Sequence, residues 1–451
     1  MIGMLRVRCA VMSEASSIRF KVRPGGKLSG RLRVPGDKSI SHRSIMLGSL
    51  ATGETHVSGF LEGEDSLATL AAFRAMGVRI DGPDAGVVRI QGVGLHGLQA
   101  PGDKLYLGNS GTSMRLMSGL LAGQAFDTTL TGDASLSGRP MQRVVGPLTG
   151  MGARIDATSA GTAPLLIHGG AGLNGIDYVM PVASAQVKSS VLLAGLYAQG
   201  RTCVTEPAPT RDHTERMLAG MGYPLQRDPG RVCLEGGHAL RGISIDIPAD
   251  ISSAAFFLVG ASIAAGSDLL LEHVGMNPTR TGVIDILRRM GADIEVNNAR
   301  DVGGEPVADL RVRSAPLVGI EIPVELVPLA IDEFPVIFVA AACAAGRTLL
   351  TGAGELRVKE SDRIQVMADG LNALGVSAEA TPDGMVIEGG PVGGGRVDSH
   401  GDHRIAMAFA IAALRAQATI EILDCANVNT SFPGFVELAG AAGLGIRAGA
   451  D

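Results

Sequence analysis

One arrangement of polar and apolar positions recurs six times along the chain. In its first form, from Pro35 to Gly59, a Pro-Gly turn leads into a polar start made of Asp37, Lys38, Ser39, His42 and Arg43. An apolar stripe at helical spacing follows (Ile45, Met46, Leu47, Leu50), then Gly53, then an alternating segment from Thr55 to Ser58. This predicts a capped helix with a buried face, stopped by Gly53, and then a strand. Five further copies begin at Asn109, Ser184, Asp250, Asp332 and Asp402, spaced by roughly 70 residues. Each copy leads to a second helix ending in a similar phrase: Met76-Gly77, Met151-Gly152, Met221-Gly222, Met290-Gly291, Leu374-Gly375 and Gly443-Leu444-Gly445. The repeat is too long for one helix pair of a solenoid. It fits a compact unit of two helices and several strands, and so an α/β protein of six units, three to a domain.

The repeats set the expected boundaries. Residues 35–247 form one domain, and 17–34 with 248–451 form the other. The chain then crosses twice, near Val34-Pro35 and Ile247-Pro248, where proline favours a defined hinge geometry. Residues 18–34 alternate around Pro24-Gly25-Gly26 and read as a hairpin. Residues 1–16 lack the apolar core of a signal peptide and are expected to be disordered, with Met12 a second candidate start.

Composition narrows the function. Aromatic residues make up 3% and Trp is absent, so the core must be aliphatic. The 63 glycines are spread through turns, as many short connections require. A net charge of −6 argues against nucleic acid or an anionic membrane as the main partner. Cys9, Cys203, Cys233, Cys343 and Cys425 form no CxxC pair and no metal-like spacing; a reducing cytoplasm is the simplest setting, and Cys343, within an apolar helix, reads as a buried inert thiol.

The basic residues are placed unusually. Lys38, Arg43, Arg115, Arg139, Lys188, Arg211, Lys359, Arg363 and Arg404 all lie at or near predicted helix starts. If the units direct these helices inward, two domain ends face each other across a cleft of positive potential suited to a small polyanion with phosphate or carboxylate groups. Two acids stand among the cations: Asp332 beside an apolar run, and Glu360 between Lys359 and Arg363. Carboxylates there can take and return protons. The acidic group Glu62, Glu64 and Asp65 reads only as helix-dipole compensation, and Arg280 as structural. No metal-ligand spacing, Walker sequence or dinucleotide fingerprint occurs.

At this point the chain resembles the 5-enolpyruvylshikimate-3-phosphate synthase family, from about Val22 to Gly443. The resemblance rests on PGDKSISHR (35–43), GNSGTSMR (108–115), GRPM (138–141), SAQVKS (184–189), TRDHTER (210–216), ELRVKESDR (355–363) and GDHRIAM (401–407). It implies a two-domain inside-out α/β barrel with six βαβαββ units. It implies transfer of the enolpyruvyl group of phosphoenolpyruvate to the 5-hydroxyl of shikimate 3-phosphate, with release of phosphate, through a tetrahedral intermediate and without cofactor or metal. By position, Lys38, Ser39, Arg43, Ser184, Ala185, Gln186, Arg211, Asp332 and Lys359 are implied to bind shikimate 3-phosphate. Lys38, Asn109, Gly111, Arg139, Gln186, Arg363 and Arg404 are implied to bind phosphoenolpyruvate. Asp332, Glu360 and Lys38 are implied to be catalytic. A cytoplasmic monomer inhibited by glyphosate is the corresponding expectation.

Two positions depart from parts of the family. Thr430 stands where one branch has Lys, so Arg211 or Lys188 is expected to supply that charge. Gly111 stands where some glyphosate-tolerant members have Ala, so that steric block is expected to be missing. Two rivals stay open: transfer to UDP-N-acetylglucosamine on the same fold, and a non-catalytic phosphometabolite-binding protein.

Overall fold

The six apolar stripes form six central helices, Lys38–Leu50, Gly111–Ala122, Ala185–Gly195, Ile251–Ile263, Phe334–Cys343 and His403–Ala412. Five start on a side chain that accepts a backbone N–H of the first turn: Asp37, Ser110, Ser184, Asp250 and Asp402. The sixth has Pro335 in its first turn, where the missing N–H costs nothing. All of Ile251–Ile263 is buried, as suits a helix apolar on every side. This computed structural model describes residues 18–450; the expectations for 1–16 and Met12 lie outside the described residues.

The second helices are Glu64–Ala75, Gln142–Gly150, His213–Gly220, Gly282–Arg289, Arg363–Ala373 and Phe435–Ala442. Just past each lies a glycine with φ between +82° and +121°: Gly77, Gly152, Gly222, Gly291, Gly375 and Gly443. The repeated phrase in the sequence is thus a left-handed helix stop. Gly53 differs: the helix already ends at Leu50, and Gly53 sits inside the strand Ala51–Ser58.

Among the described residues, six small sheets surround the helices. Leu105–Tyr106 runs parallel to Thr128–Thr131, and Asp177–Val179 parallel to Arg201–Thr205. Leu240–Arg241 and Ser244–Asp246 run parallel to Ala51–Ser58. Each unit of the first half therefore lends a strand to the next, and the ring of three closes. The helices are inside and the sheets outside, an inside-out α/β barrel in each half.

The expected hairpin over 18–34 does not form. Ile18–Val22 inserts between Ile420–Leu423 and Ile446–Ala450, whereas Ser29–Leu32 runs parallel to Asp268–Gly275 in another sheet. Gly25 and Gly26, with φ of +77° and +109°, turn the chain from one sheet to the other. This segment closes the second ring, as the strands at 240–246 close the first.

Two separate buried clusters result. One gathers residues from Ile40 to Ile247; the other joins Phe20–Val34 to residues from Ala249 to Ile446. The two crossings lie side by side: Asp37 N donates to Pro248 O at 2.8 Å and Asp250 N to Pro35 O at 2.9 Å. We propose that the domain boundaries run through this pair of crossings.

The cysteines also differ from expectation. Cys203 and Cys233, opposite each other on paired strands, form a disulfide. Cys343 ends its helix and is partly exposed, although burial still pushes its thiol up to about 12.

The helices Gly111–Ala122 and Ala185–Gly195 approach closely because Gly119 has no side chain. A Cβ there would stand 2.0 Å from the Ser190 carbonyl oxygen. Gly119→Ala is expected to destabilise the fold by about 1–3 kcal/mol through overpacking, read as a lower urea midpoint. An unchanged midpoint would contradict the close approach.

Candidate active site

The helix starts of the two halves meet. Lys38, the first residue of its helix, donates from Nζ to Ser431 Oγ in the second half at 2.8 Å and pairs with Asp65 in the first. Arg211, just before its helix, pairs with Asp332 across the halves. Arg139 Nη1 stands 3.7 Å from Glu360 Oε1, and Arg143 Nη1 3.2 Å from Glu355 Oε2. The first half brings mainly cations to the cleft, and the second brings the acids that meet them.

Asp332 stands among cations of both halves. Besides Arg211, its Oδ1 lies 3.5 Å from Lys359 Nζ and 3.4 Å from Arg363 Nη1, and its carbonyl accepts Arg404 Nη1 at 3.1 Å. Burial works to raise its pKa, but the combined field of Lys359, Arg211, Arg404 and Arg363 outweighs it and holds the carboxyl well below the usual range. Glu360 accepts Arg363 Nη2 at 2.6 Å. There too burial opposes ionisation, and Arg363 and Arg139 prevail. Arg363 is only 1% exposed; its Nε donates to the buried Asp402 at 2.8 Å, which fixes the guanidinium between three carboxylates. Lys359 and Glu360 lie on the turn between the 3₁₀ segment Gly354–Val358 and the helix starting at Arg363.

The first-half wall is built from helix starts. Ser184 caps its own helix, with Ala185 and Gln186 in the first turn. Gln186 accepts from Arg115 Nη1 and donates to Thr112 Oγ1 at 2.9 Å. Asn109 accepts from Arg139 and donates to Asp133 Oδ2 at 2.7 Å, which fixes the loop around Gly111. Arg43 is buried; it donates to Thr214 Oγ1 at 2.7 Å, Ser189 Oγ at 2.8 Å and Ser39 O at 2.9 Å. Burial lowers the pKa of both Arg43 and Arg115 to about 10. Among the described residues neither has a carboxylate within salt-bridge distance, so both present charge that a bound anion can neutralise.

Lys188 departs from expectation. It is buried, with its Nζ 2.8 Å from Glu215 and 3.0 Å from Glu206, and so does not supply the charge missing at Thr430. Thr430 itself bonds to Asn427 O at 2.7 Å. Asp65, read from sequence as dipole compensation, does lie in the first turn of its helix and is also a partner of Lys38. Ser431 and Asp402 were likewise missed. Asp402 carried a signal, since it occupies the repeated capping position. Among the described residues no group of three or more His, Cys, Asp or Glu is arranged to hold a metal.

Comparison with known proteins shows the family and the fold. A family model described as EPSP synthase (3-phosphoshikimate 1-carboxyvinyltransferase) matches residues 22–438. The chain is 75% identical over 433 residues to the 3-phosphoshikimate 1-carboxyvinyltransferase of Alkalilimnicola ehrlichii, covering 96% of this chain and 97% of that one. It is 72% identical over 428 residues to that of Methylococcus capsulatus, covering 95% and 98%. The solved EPSP synthase of Acinetobacter baumannii aligns with a TM-score of 0.87 at 58% identity, over 96% of this chain and 100% of that one. The enolpyruvyl transferase NikO of Streptomyces tendae shares the fold, with a TM-score of 0.78 at 17% identity over 97% and 100%.

The depressed acids predict how closure depends on pH. In an open cleft Asp332 would lose Arg211 and Glu360 would lose Arg139 while each kept the cations of its own half, so both would titrate higher than when closed, toward the ordinary range of about 4. In the closed cleft they titrate well below. The cross-cleft pairs therefore favour closure fully above the ordinary values and lose that contribution as pH falls through the depressed ones. Small-angle scattering is expected to show one radius of gyration from about pH 8 to 5, rising only below about pH 4. An opening midpoint between pH 5 and 7 would contradict the assignment of these pairs.

Proposed function

The chain belongs to the EPSP synthase family, the 3-phosphoshikimate 1-carboxyvinyltransferases, and on that premise we propose which residues carry its reaction. The enzyme transfers the enolpyruvyl group of phosphoenolpyruvate to shikimate 3-phosphate in the shikimate pathway. The observation that carries the residue assignment is the pair of second-half acids, Asp332 and Glu360, held among cations drawn from both halves.

Shikimate 3-phosphate binds against Lys38, Ser39, Arg43, Ser184, Ala185, Gln186 and Arg211, with Asp332 and Lys359 facing its ring. Phosphoenolpyruvate binds to Lys38, Asn109, Gly111, Arg139, Gln186, Arg363 and Arg404. The substrates' phosphate and carboxylate groups compete with Asp332 and Glu360 for the same guanidiniums. As those charges are shared with substrate, the proton affinity of both acids rises from its depressed value. That change suits proton transfer. Glu360, beside Lys359, gives a proton to the methylene carbon, which makes the adjacent carbon electrophilic. The 5-hydroxyl attacks that carbon and yields its proton to Asp332. The tetrahedral adduct then loses phosphate from that carbon, while the Glu360 carboxylate takes back a proton from the new methyl group, restoring the double bond. Lys38 and the arginines stabilise the changing anionic charge.

One chain supplies the whole proposed site, so the reading needs no second copy, and a monomer is proposed with it. The same reading places the enzyme in the cytoplasm, where phosphorylated metabolites are retained. Glyphosate, an anion, competes with phosphoenolpyruvate at Gly111. A Cβ on Gly111 would lie 3.1 Å from Arg115 Nη1 and 3.2 Å from Arg139 Nη1, so a methyl group presses on two guanidiniums of that pocket.

Asp332→Asn and Glu360→Gln are each expected to lower kcat by about 10²–10⁴-fold while calorimetry still detects shikimate 3-phosphate binding. Turnover near the parent rate in either variant would overturn that residue's role. Gly111→Ala is expected to raise the glyphosate inhibition constant and the KM for phosphoenolpyruvate together. Unchanged inhibition would remove the steric reading.

A further inference from the structure

A four-residue turn of the second half, Asn277-Pro278-Thr279-Arg280, joins the strand Asp268–Gly275 to the helix Gly282–Arg289. It grips the first half at two points. Asn277 is 2% exposed; its Nδ2 donates to Asp212 Oδ1 at 2.7 Å and to Glu305 Oε2 at 3.1 Å. Thr279 fixes the other end of that amide, donating from N at 3.0 Å and from Oγ1 at 2.8 Å to Asn277 Oδ1. Arg280 is 4% exposed and pairs with Asp37. Its Nη2 donates to Asp250 Oδ1 at 3.0 Å and Ser252 Oγ at 2.6 Å. The Ser252 hydroxyl in turn donates to Glu333, the chain neighbour of Asp332.

The two gripped acids are placed alike. Asp37 caps the helix that begins with Lys38, and Asp212 directly follows Arg211. Each is the chain neighbour of a cation that faces the cleft. Through Ser252 and Glu333 the same turn reaches the segment carrying Asp332. Beside it, His213 Nδ1 lies 2.8 Å from Glu305 Oε1, a further buried link between the halves. A buried arginine among carboxylates adds little net stability over an apolar replacement, yet removing one partner is costly. Such a group is well suited to holding one register.

We propose that Asn277 and Arg280 are positioning residues that set the register in which Lys38 meets Ser431 and Arg211 meets Asp332. The inference rests on the reading of the cleft given above and gives Arg280, read from sequence as structural, a part in the reaction. Neither side chain touches substrate. Phosphoenolpyruvate lies between Arg139 of one half and Arg363 and Arg404 of the other, so its site depends on register. The proposed shikimate 3-phosphate ligands are mostly first-half residues and depend on it less.

The test uses the full chain with Asn277→Ala and Arg280→Lys, the second keeping the charge but losing the fork. Shikimate 3-phosphate affinity is measured by calorimetry, and kcat and KM for phosphoenolpyruvate by phosphate release. The expected result is a loss of at least about tenfold in kcat/KM for phosphoenolpyruvate, with shikimate 3-phosphate affinity kept within about twofold. Values of kcat/KM within about twofold of the parent in both variants would overturn the proposal, as would equal losses for both substrates. If Arg280→Lys does not fold, Asn277→Ala carries the test by the same criteria. The parent is run alongside: an inactive parent overturns the cleft reading itself, whereas an active parent with unaffected variants overturns only the register role.

Discussion

The carboxylate of Asp332, bonded across the cleft to Arg211 and surrounded by Lys359, Arg363 and Arg404, is the contact on which the site depends. Its physical meaning lies in the excess of cations around it. Buried charges are costly unless paired, and an unpaired one in an apolar interior costs several kcal/mol. Arg43 and Arg115 accept that cost, since burial depresses both and hydroxyl, carbonyl and amide groups are the partners they have. A fold that stores positive charge in this way binds anions strongly, because the ligand supplies the missing countercharge. In the proposed reading, the two acids partly discharge the field until substrate takes over.

The repeat explains how such a field is assembled. Each unit presents a capped helix start, and three units closed into a ring direct several starts to one end. Two rings face each other, joined by crossings that bond side by side at Asp37–Pro248 and Pro35–Asp250. The N-terminal strands Ile18–Val22 and Ser29–Leu32 complete the second ring. Without them two sheets would expose unpaired edges. The aliphatic helix cores, such as Ile251–Ile263, supply the burial that offsets the electrostatic cost.

Helix starts and most helix stops are legible in the sequence because they are locally determined, although Gly53 lies within a strand and not at a helix end. Asp37, Ser184, Asp250 and Asp402 announce helix starts because a short polar side chain capping a first turn leaves an unmistakable mark before an apolar stripe. The glycines after the second helices follow from the left-handed stop. Partners chosen over long range were not legible. The alternation of Ile18–Val34 is the same whether its two strands pair with each other or with strands hundreds of residues away. Lys188 has the sequence context of a cleft cation, but Glu206 and Glu215 fold onto it. Asp65 has the context of a dipole-compensating acid, but Lys38 reaches it. Cys203 and Cys233 meet only because the register of Arg201–Thr205 on Arg231–Glu235 sets them opposite.

The most direct measurement is phosphate release from phosphoenolpyruvate by the unsubstituted protein in the presence of a chelator, with shikimate 3-phosphate, UDP-N-acetylglucosamine or no acceptor. The account predicts release that requires shikimate 3-phosphate and survives the chelator. Release supported only by UDP-N-acetylglucosamine, or independent of any acceptor, would contradict it.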